Sequence, residues 1–222
     1  MQDSIYFPTT IVDGFFDDPD AIRSLAFTLD CRTSPNNNWP GIRSHNLYEV
    51  ANPVYNTLIN RILRLFYCTT TKYGYSAKSF FQFVNNNYKE GWIHRDDGAI
   101  LSAIIYLTPD SLSVTSIFKK KDIMYEDCSS KILKEDAYKN NTDNLTALVD
   151  HNSHYEEVIN VKGLYNRLVL FDSRLYHGAH KFHGTTKDTS RLTLITFIEN
   201  IFCEEMFPIP RSKWQKGLSD CL

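Results

Sequence analysis

The chain has 222 residues, 42% of them hydrophobic and 23% charged, which is enough apolar material for a full core and excludes a disordered or fibrous chain. Its 24 Lys and Arg against 26 Asp and Glu leave a net charge of −2, so no overall field draws it to nucleic acid or to a membrane surface. Phe, Trp and Tyr make up 14%, and such residues favour pleated, half-buried surfaces, so the composition leans toward sheet.

Ile5 to Phe16 is rich in β-branched and aromatic residues and carries Asp13-Gly14, which predicts a strand closed by a turn. Asp17-Asp18-Pro19-Asp20 then offers an acidic cap and a first-turn proline, with Ala21, Ile22, Leu25 and Ala26 at helical spacing, so a helix starts there. Arg32 to His45 contains Pro35-Asn36-Asn37-Asn38 and Trp39-Pro40-Gly41 and reads as a loop by its turn chemistry, anchored by Trp39. Pro53 to Tyr67 places Val54, Leu58, Ile62, Leu65 and Phe66 near one helical face and predicts a second amphipathic helix.

From Ala77 the character changes to strands: Ser79 to Val84, Ala99 to Leu107, Leu112 to Phe118, Glu157 to Val161, Arg167 to Phe171 and Arg191 to Ile198. Gly, Asn, Pro and Asp punctuate them, the pattern of a β-sandwich or barrel with helices packed outside. Lys119 to His154 is long, polar and charged, an insertion or lid at about 119–155 in which Lys134 to Val149 could be helical. Lys119-Lys120-Lys121 reads as a solvated strand end or loop, and His151 and His154 as solvated histidines, with a secondary metal site beside Asp150 as the alternative. The five cysteines are scattered, without a C-x-x-C pair, and read as reduced thiols; the N-terminus has no signal-like apolar stretch, and no run is long enough to span a bilayer. One domain over 1–222, cytoplasmic and not membrane-bound, is the expectation.

The chemistry gathers in three places. In Gly91-Trp92-Ile93-His94-Arg95-Asp96-Asp97-Gly98, strand alternation would aim His94 and Asp96 at one point and turn Arg95 and Asp97 away. Alone, the pair could equally be a polar strand end bonded to a neighbouring loop. Arg167 to His180 is an apolar strand, a turn, and then His177 opening the next short strand. In Ser190 to Ile198, Arg191, Thr193 and Ile195 share a face, and an inward arginine demands an anion, either a structural carboxylate or a bound one. Two histidines and one carboxylate leave coordination positions open, the arrangement that suits non-haem Fe(II) and oxygen activation.

In that combination the sequence resembles the 2-oxoglutarate/Fe(II)-dependent dioxygenases, in particular the prolyl-4-hydroxylase-like branch of small viral and bacterial members. The resemblance rests on "FFDDPDAIRSLA", "WPGIR", "SFFQFV", "GWIHRDDGAILSAIIYLTP", "SVTSIFKKK", "NRLVLFDSRLYHGAH" and "SRLTLITFI" and covers most of residues 10 to 200. It implies an α+β, mainly β chain with a double-stranded β-helix core (jelly roll, cupin-like) and the N-terminal helices packed outside. It implies His94, Asp96 and His177 as iron ligands, Arg191 holding the distal carboxylate of 2-oxoglutarate, and Thr193 donating a further hydrogen bond. Tyr106 falls where related hydroxylases place a tyrosine on that carboxylate; a core aromatic with a surface hydroxyl is its other reading. With Fe(II), 2-oxoglutarate and O2, the implied reaction hydroxylates a C–H bond and releases succinate and CO2. Halogenating members carry a small residue in place of the carboxylate, so Asp96 favours hydroxylation.

Some assignments stay open in the sequence. His180 could replace His177, shortening the gap to Arg191 from fourteen residues to eleven, while His180 and His183 otherwise read as loop or rim residues. Gln82 could hydrogen-bond cosubstrate or substrate, or be a satisfied core amide. A non-catalytic cupin-like module and a zinc hydrolase using the same triad are the competing functions; Arg191-Leu192-Thr193 argues against the first, and want of a general base against the second. The substrate is unidentified, with a peptide or small molecule favoured over nucleic acid.

Overall fold

The computed structural model describes residues 7–36, 38–67, 72–109, 111–121 and 145–203. Among the described residues, in chain order, lie β1 (Thr10–Val12), α1 (Pro19–Thr28), β2 (Cys31–Thr33), β3 (Ile42–Ser44), α2 (Leu47–Val50), α3 (Asn52–Leu63) and β4 (Tyr73–Val84). They are followed by β5 (Leu101–Tyr106), β6 (Val114–Lys120), α4 (Leu145–Ser153), β7 (Tyr155–Lys162), β8 (Leu168–Asp172), β9 (Tyr176–His180) and β10 (Arg191–Cys203). No helix among them is long and apolar enough to cross a membrane.

Helix α1 starts as its sequence requires: the Asp18 carboxylate accepts from the Ala21 N–H at 2.9 Å, and Pro19 occupies the first turn, where no N–H is needed. Helix α3 buries Tyr55, Leu58, Ile59, Ile62 and Leu63, one stripe at helical spacing. That stripe packs on one face of the larger sheet, against Phe81 and Phe83 of β4, Leu101 and Ile105 of β5, Leu168 and Leu170 of β8, and Leu192 and Leu194 of β10. Alternation then sends the intervening residues of the same strands to the other face, where Tyr106, Val169 and Phe171 meet Ile117 and Val161 of the smaller sheet.

All pairings are antiparallel. The larger sheet runs β1-β8-β5-β10-β4-β3-β2 and the smaller β7-β6-β9. Residues 90–96 lie along the open side of β9, joined to it through the bridges Glu90 to His180 and His94 to His177. Residues 90–94 lie opposite 177–180, five against four, so the segment carries one extra residue, a bulge that breaks the regular ladder. Gly91 allows the close approach: a Cβ there would meet the Ala179 carbonyl oxygen at 2.7 Å. Two antiparallel sheets face each other across the interior, with α1 to α3 outside the larger one, which is the α+β jelly roll expected.

Several element expectations are corrected. Arg32 to His45 is not simply a loop, because its ends pair as the β2–β3 hairpin, which joins β4 through Ile42 and Arg43. The second helix expected is α3, which stops at Leu63 instead of reaching Tyr67, and a short α2, capped by Asn46, precedes it where none was expected. Strand β4 begins at Tyr73, paired along its length with a β10 that continues to Cys203. The N-terminal strand is confined to Thr10–Val12, Gly14 turning the chain with φ of 65°. His94 and Asp96 are not on a regular strand, although the alternation survives, with Arg95 and Asp97 exposed. Most of Lys134 to Val149 lies outside the described residues; α4 covers its end and extends to Ser153. His151, expected in solvent, is 2% exposed.

Candidate active site

His177 enters from β9, and His94 and Asp96 from the segment beside it. The His94 and His177 ring nitrogens and an Asp96 oxygen lie within 4.8 Å of one another. Nε2 of His94 is 3.5 Å from Asp96 Oδ1, and Nε2 of His177 is 3.3 Å from Asp96 Oδ2. Each ring donates its Nδ1–H to a backbone carbonyl two residues earlier, Trp92 at 2.7 Å and Leu175 at 3.0 Å. That turns Nε2 of each ring toward Asp96, and it is this nitrogen that would ligate a divalent metal. Burial alone would raise the Asp96 carboxyl, but the facing His177 and His94 rings outweigh it and hold the group well below the usual carboxylate range.

Two serines to which the sequence motifs assign no role complete this corner. Ser102 Oγ donates to Asp96 Oδ2 at 2.7 Å and lies 2.8 Å from Ser173 Oγ, while the Asp96 N–H donates to the Ser173 carbonyl at 3.0 Å. The one signal that could have found them is parity: Ser102 shares a strand face with Tyr106, so a hydroxyl in an apolar strand is directed inward.

At the other end, Arg191 is 3% exposed. Its guanidinium carbon is 5.5 Å from the Tyr106 ring centre and 5.7 Å from that of Phe182, and Nη1 reaches Thr193 Oγ1 at 3.4 Å. Its buried Nε has no hydrogen-bond partner, and among the described residues no carboxylate pairs with it. Burial pushes the guanidinium below the usual arginine range, with the Tyr106 hydroxyl acting the other way. Tyr106 is 1% exposed and donates to Thr115 Oγ1 at 2.5 Å, so its hydroxyl is not at the surface. Thr193 stands opposite both Gln82 and Tyr106 in the ladders.

A cavity of about 220 Å³ joins the two ends, lined by His94, Asp96, His177, Ser102, Gln82 and Arg191 among others. Gln82 donates from Nε2 to the Pro40 carbonyl at 2.8 Å, which fastens the turn carrying Trp39 to the cavity wall. Trp39 both packs under the Arg43 guanidinium and lines the cavity, so it does more than anchor its loop. His180 is not in the triad: its ring lies edge-on to Phe118, and burial lowers its pKa. The cavity can accept a metal at one end and an anion at the other.

This jelly roll is shared with enzymes described as non-haem and α-ketoglutarate-dependent. SnoK, a carbocyclase of that description from nogalamycin biosynthesis, is 14% identical with a TM-score of 0.50 over 86% of this chain and 79% of its own. SnoN, an epimerase of the same biosynthesis, is 10% identical with a TM-score of 0.50 over 87% and 79%. EvdO2 from Micromonospora carbonacea var. aurantiaca is 10% identical with a TM-score of 0.51 over 92% and 91%. No curated protein matches the sequence. Residues 6–198 match the model of a family of unknown function, DUF6445, and the chain belongs to that family.

Proposed function

We propose that the protein is a non-haem Fe(II)- and 2-oxoglutarate-dependent oxygenase of the prolyl-4-hydroxylase-like branch that its motifs resemble, hydroxylating a peptide or small molecule. The observation that carries this reading is Arg191: a buried cation with no carboxylate partner among the described residues, in the same cavity as two histidines and a carboxylate. A structural arginine would have brought its own anion. An arginine that receives a substrate's carboxylate must be left without one.

Iron would be held by His94, Asp96 and His177, and bound with 2-oxoglutarate it supplies oxygen activation at a C–H bond, with succinate and CO2 as by-products. The chain's own part is placement. Arg191 would take the distal carboxylate in a two-pronged contact, and Thr193 would donate beside it. The Tyr106 ring backs the guanidinium, and its hydroxyl would have to leave Thr115 to reach the same carboxylate. Ile195, Phe171 and Phe182 line the cavity with apolar surface that excludes water. A zinc hydrolase has less support, because the described cavity lining offers no general base beyond the triad itself.

Anaerobic addition of Fe(II) and 2-oxoglutarate should give a weak visible absorption, and oxygen should then release succinate slowly in the absence of substrate. His94→Ala and Arg191→Ala should each lose both signals; behaviour like the unmutated chain would sink the proposal. SnoN and SnoK are described as an epimerase and a carbocyclase, so a substrate search should look for isomerised and cyclised products alongside hydroxylated ones.

A further inference from the structure

Helix α4 grips the three residues that precede His94. Asn152 Oδ1 accepts from the Ile93 N–H at 3.1 Å, and Asn152 Nδ2 donates to the Gly91 carbonyl at 3.1 Å. The next contact comes from His151, whose Nε2 donates to the Ile93 carbonyl at 2.7 Å. The His151 ring also stacks on Trp92, with centres 3.9 Å apart and planes 17° from parallel. Leu148 packs with Trp92 in the same small apolar cluster.

These bonds fall on two peptide groups, each held from both sides. The peptide joining Trp92 to Ile93 points its N–H at Asn152 and its carbonyl at the Nδ1 of His94. The peptide joining Ile93 to His94 points its carbonyl at His151 and its N–H at the His177 carbonyl. Because a trans peptide is planar, with N–H and C=O opposed, fixing one end aims the other. Asn152 therefore aims the carbonyl that orients the His94 ring, and His151 aims the N–H that ties His94 to the strand of His177.

We propose that α4 is the positioning element of the metal centre, with Asn152 and His151 acting through the two peptides that flank Ile93. The inference rests on the reading of His94, Asp96 and His177 as a metal site. It also accounts for the end of the polar insertion, where α4 supplies, by side chains, the edge that no regular strand among the described residues supplies to residues 90–96.

Co(II) is the probe, because its visible absorption reports both occupancy and coordination geometry. Titrations of Asn152→Leu and of His151→Phe, which keeps a ring over Trp92 but has no donor, should show affinity weakened roughly ten- to hundredfold and an altered band shape. His151→Gln, which retains a donor, should recover most of the loss. Tyr55→Phe removes a hydrogen bond from α3 to the Ala77 carbonyl, far from α4; it should lower the apo thermal midpoint and leave Co(II) binding unchanged. Near-ultraviolet circular dichroism checks folding, and Asn152→Ser replaces the leucine variant if that one does not fold. Co(II) affinity and spectrum indistinguishable from the unmutated chain in the Asn152 and His151 variants would overturn the inference, as would equal weakening by Tyr55→Phe. Failure of the unmutated chain to bind Co(II) would overturn the metal centre and this inference with it.

Discussion

The two ends of the cavity are built differently. Arg191, Thr193, Tyr106 and Gln82 come from three adjacent strands of the larger sheet, β5, β10 and β4, in unbroken register and backed by the main apolar cluster. The triad end has only His177 on a regular strand, while His94 and Asp96 sit on a bulged segment held by two bridges and by side chains. Where a ladder fixes the backbone, a residue's direction follows from its parity. Where side chains fix it, each hydrogen bond carries its own share of the geometry.

That contrast can be broken at several points. Removing a ligand should have the largest effect: saturating Co(II) or Fe(II) should raise the thermal midpoint of the unmutated chain, and His177→Ala or Asp96→Ala should abolish the rise. A full metal-induced shift in either variant would remove the metal end from the comparison. Arg191→Met should lose 2-oxoglutarate binding by calorimetry while stabilising the apo chain in urea by about 1–3 kcal/mol, because it deletes a buried charge without a counter-charge. Should Arg191→Met instead destabilise the chain, the arginine is structural.

Ser102→Ala should weaken metal binding by roughly tenfold, with little change in the urea midpoint, since it removes the donor to Asp96 and leaves the β5 ladder intact. The smallest effect is expected away from the cavity. Asp172, at the end of β8, accepts from the Phe7 N–H at 2.8 Å and from Arg174 Nη2 at 2.8 Å. Burial would raise its carboxyl, but these bonds outweigh that and lower it. A carboxyl lowered by folding stabilises above its unfolded pKa, and that contribution is lost as pH falls through the folded value. Asp172→Asn should therefore reduce stability by about 1–2 kcal/mol at neutral pH and flatten the acid side of the stability profile. A profile with unchanged slope would remove Asp172 from the linkage.

The same contrast explains what could be read from the sequence. Alternation in Arg191-Leu192-Thr193-Leu194-Ile195 identified the face that lines the cavity, because β10 keeps a regular register over these residues, the irregularity with β4 coming only after Ile198. The hairpin of β2 and β3 was hidden, since three-residue strands show no period and Pro35-Asn36-Asn37-Asn38 dominates the stretch. His151 was hidden for another reason. Its neighbours Asp150, Asn152 and Ser153 are polar, and its burial is created by Trp92, fifty-nine positions earlier in the chain. Ser102 and Ser173 lie within the motif stretches, but nothing in their spacing gives them a role; only the folded pairing of β5 with β8 brings them to Asp96.

Strand β10 has one face under the helices and the other in the cavity, and a strand's faces exchange with every one-residue slip. A chain that paired β10 one residue out of step would drive Arg191 beneath α3 and turn Leu192 and Leu194 toward His94, Asp96 and His177. The apolar layer cannot accept the charge, so it rejects that pairing during folding. The leucines, which lie outside the cavity, thus act as the proofreaders of the position of Arg191.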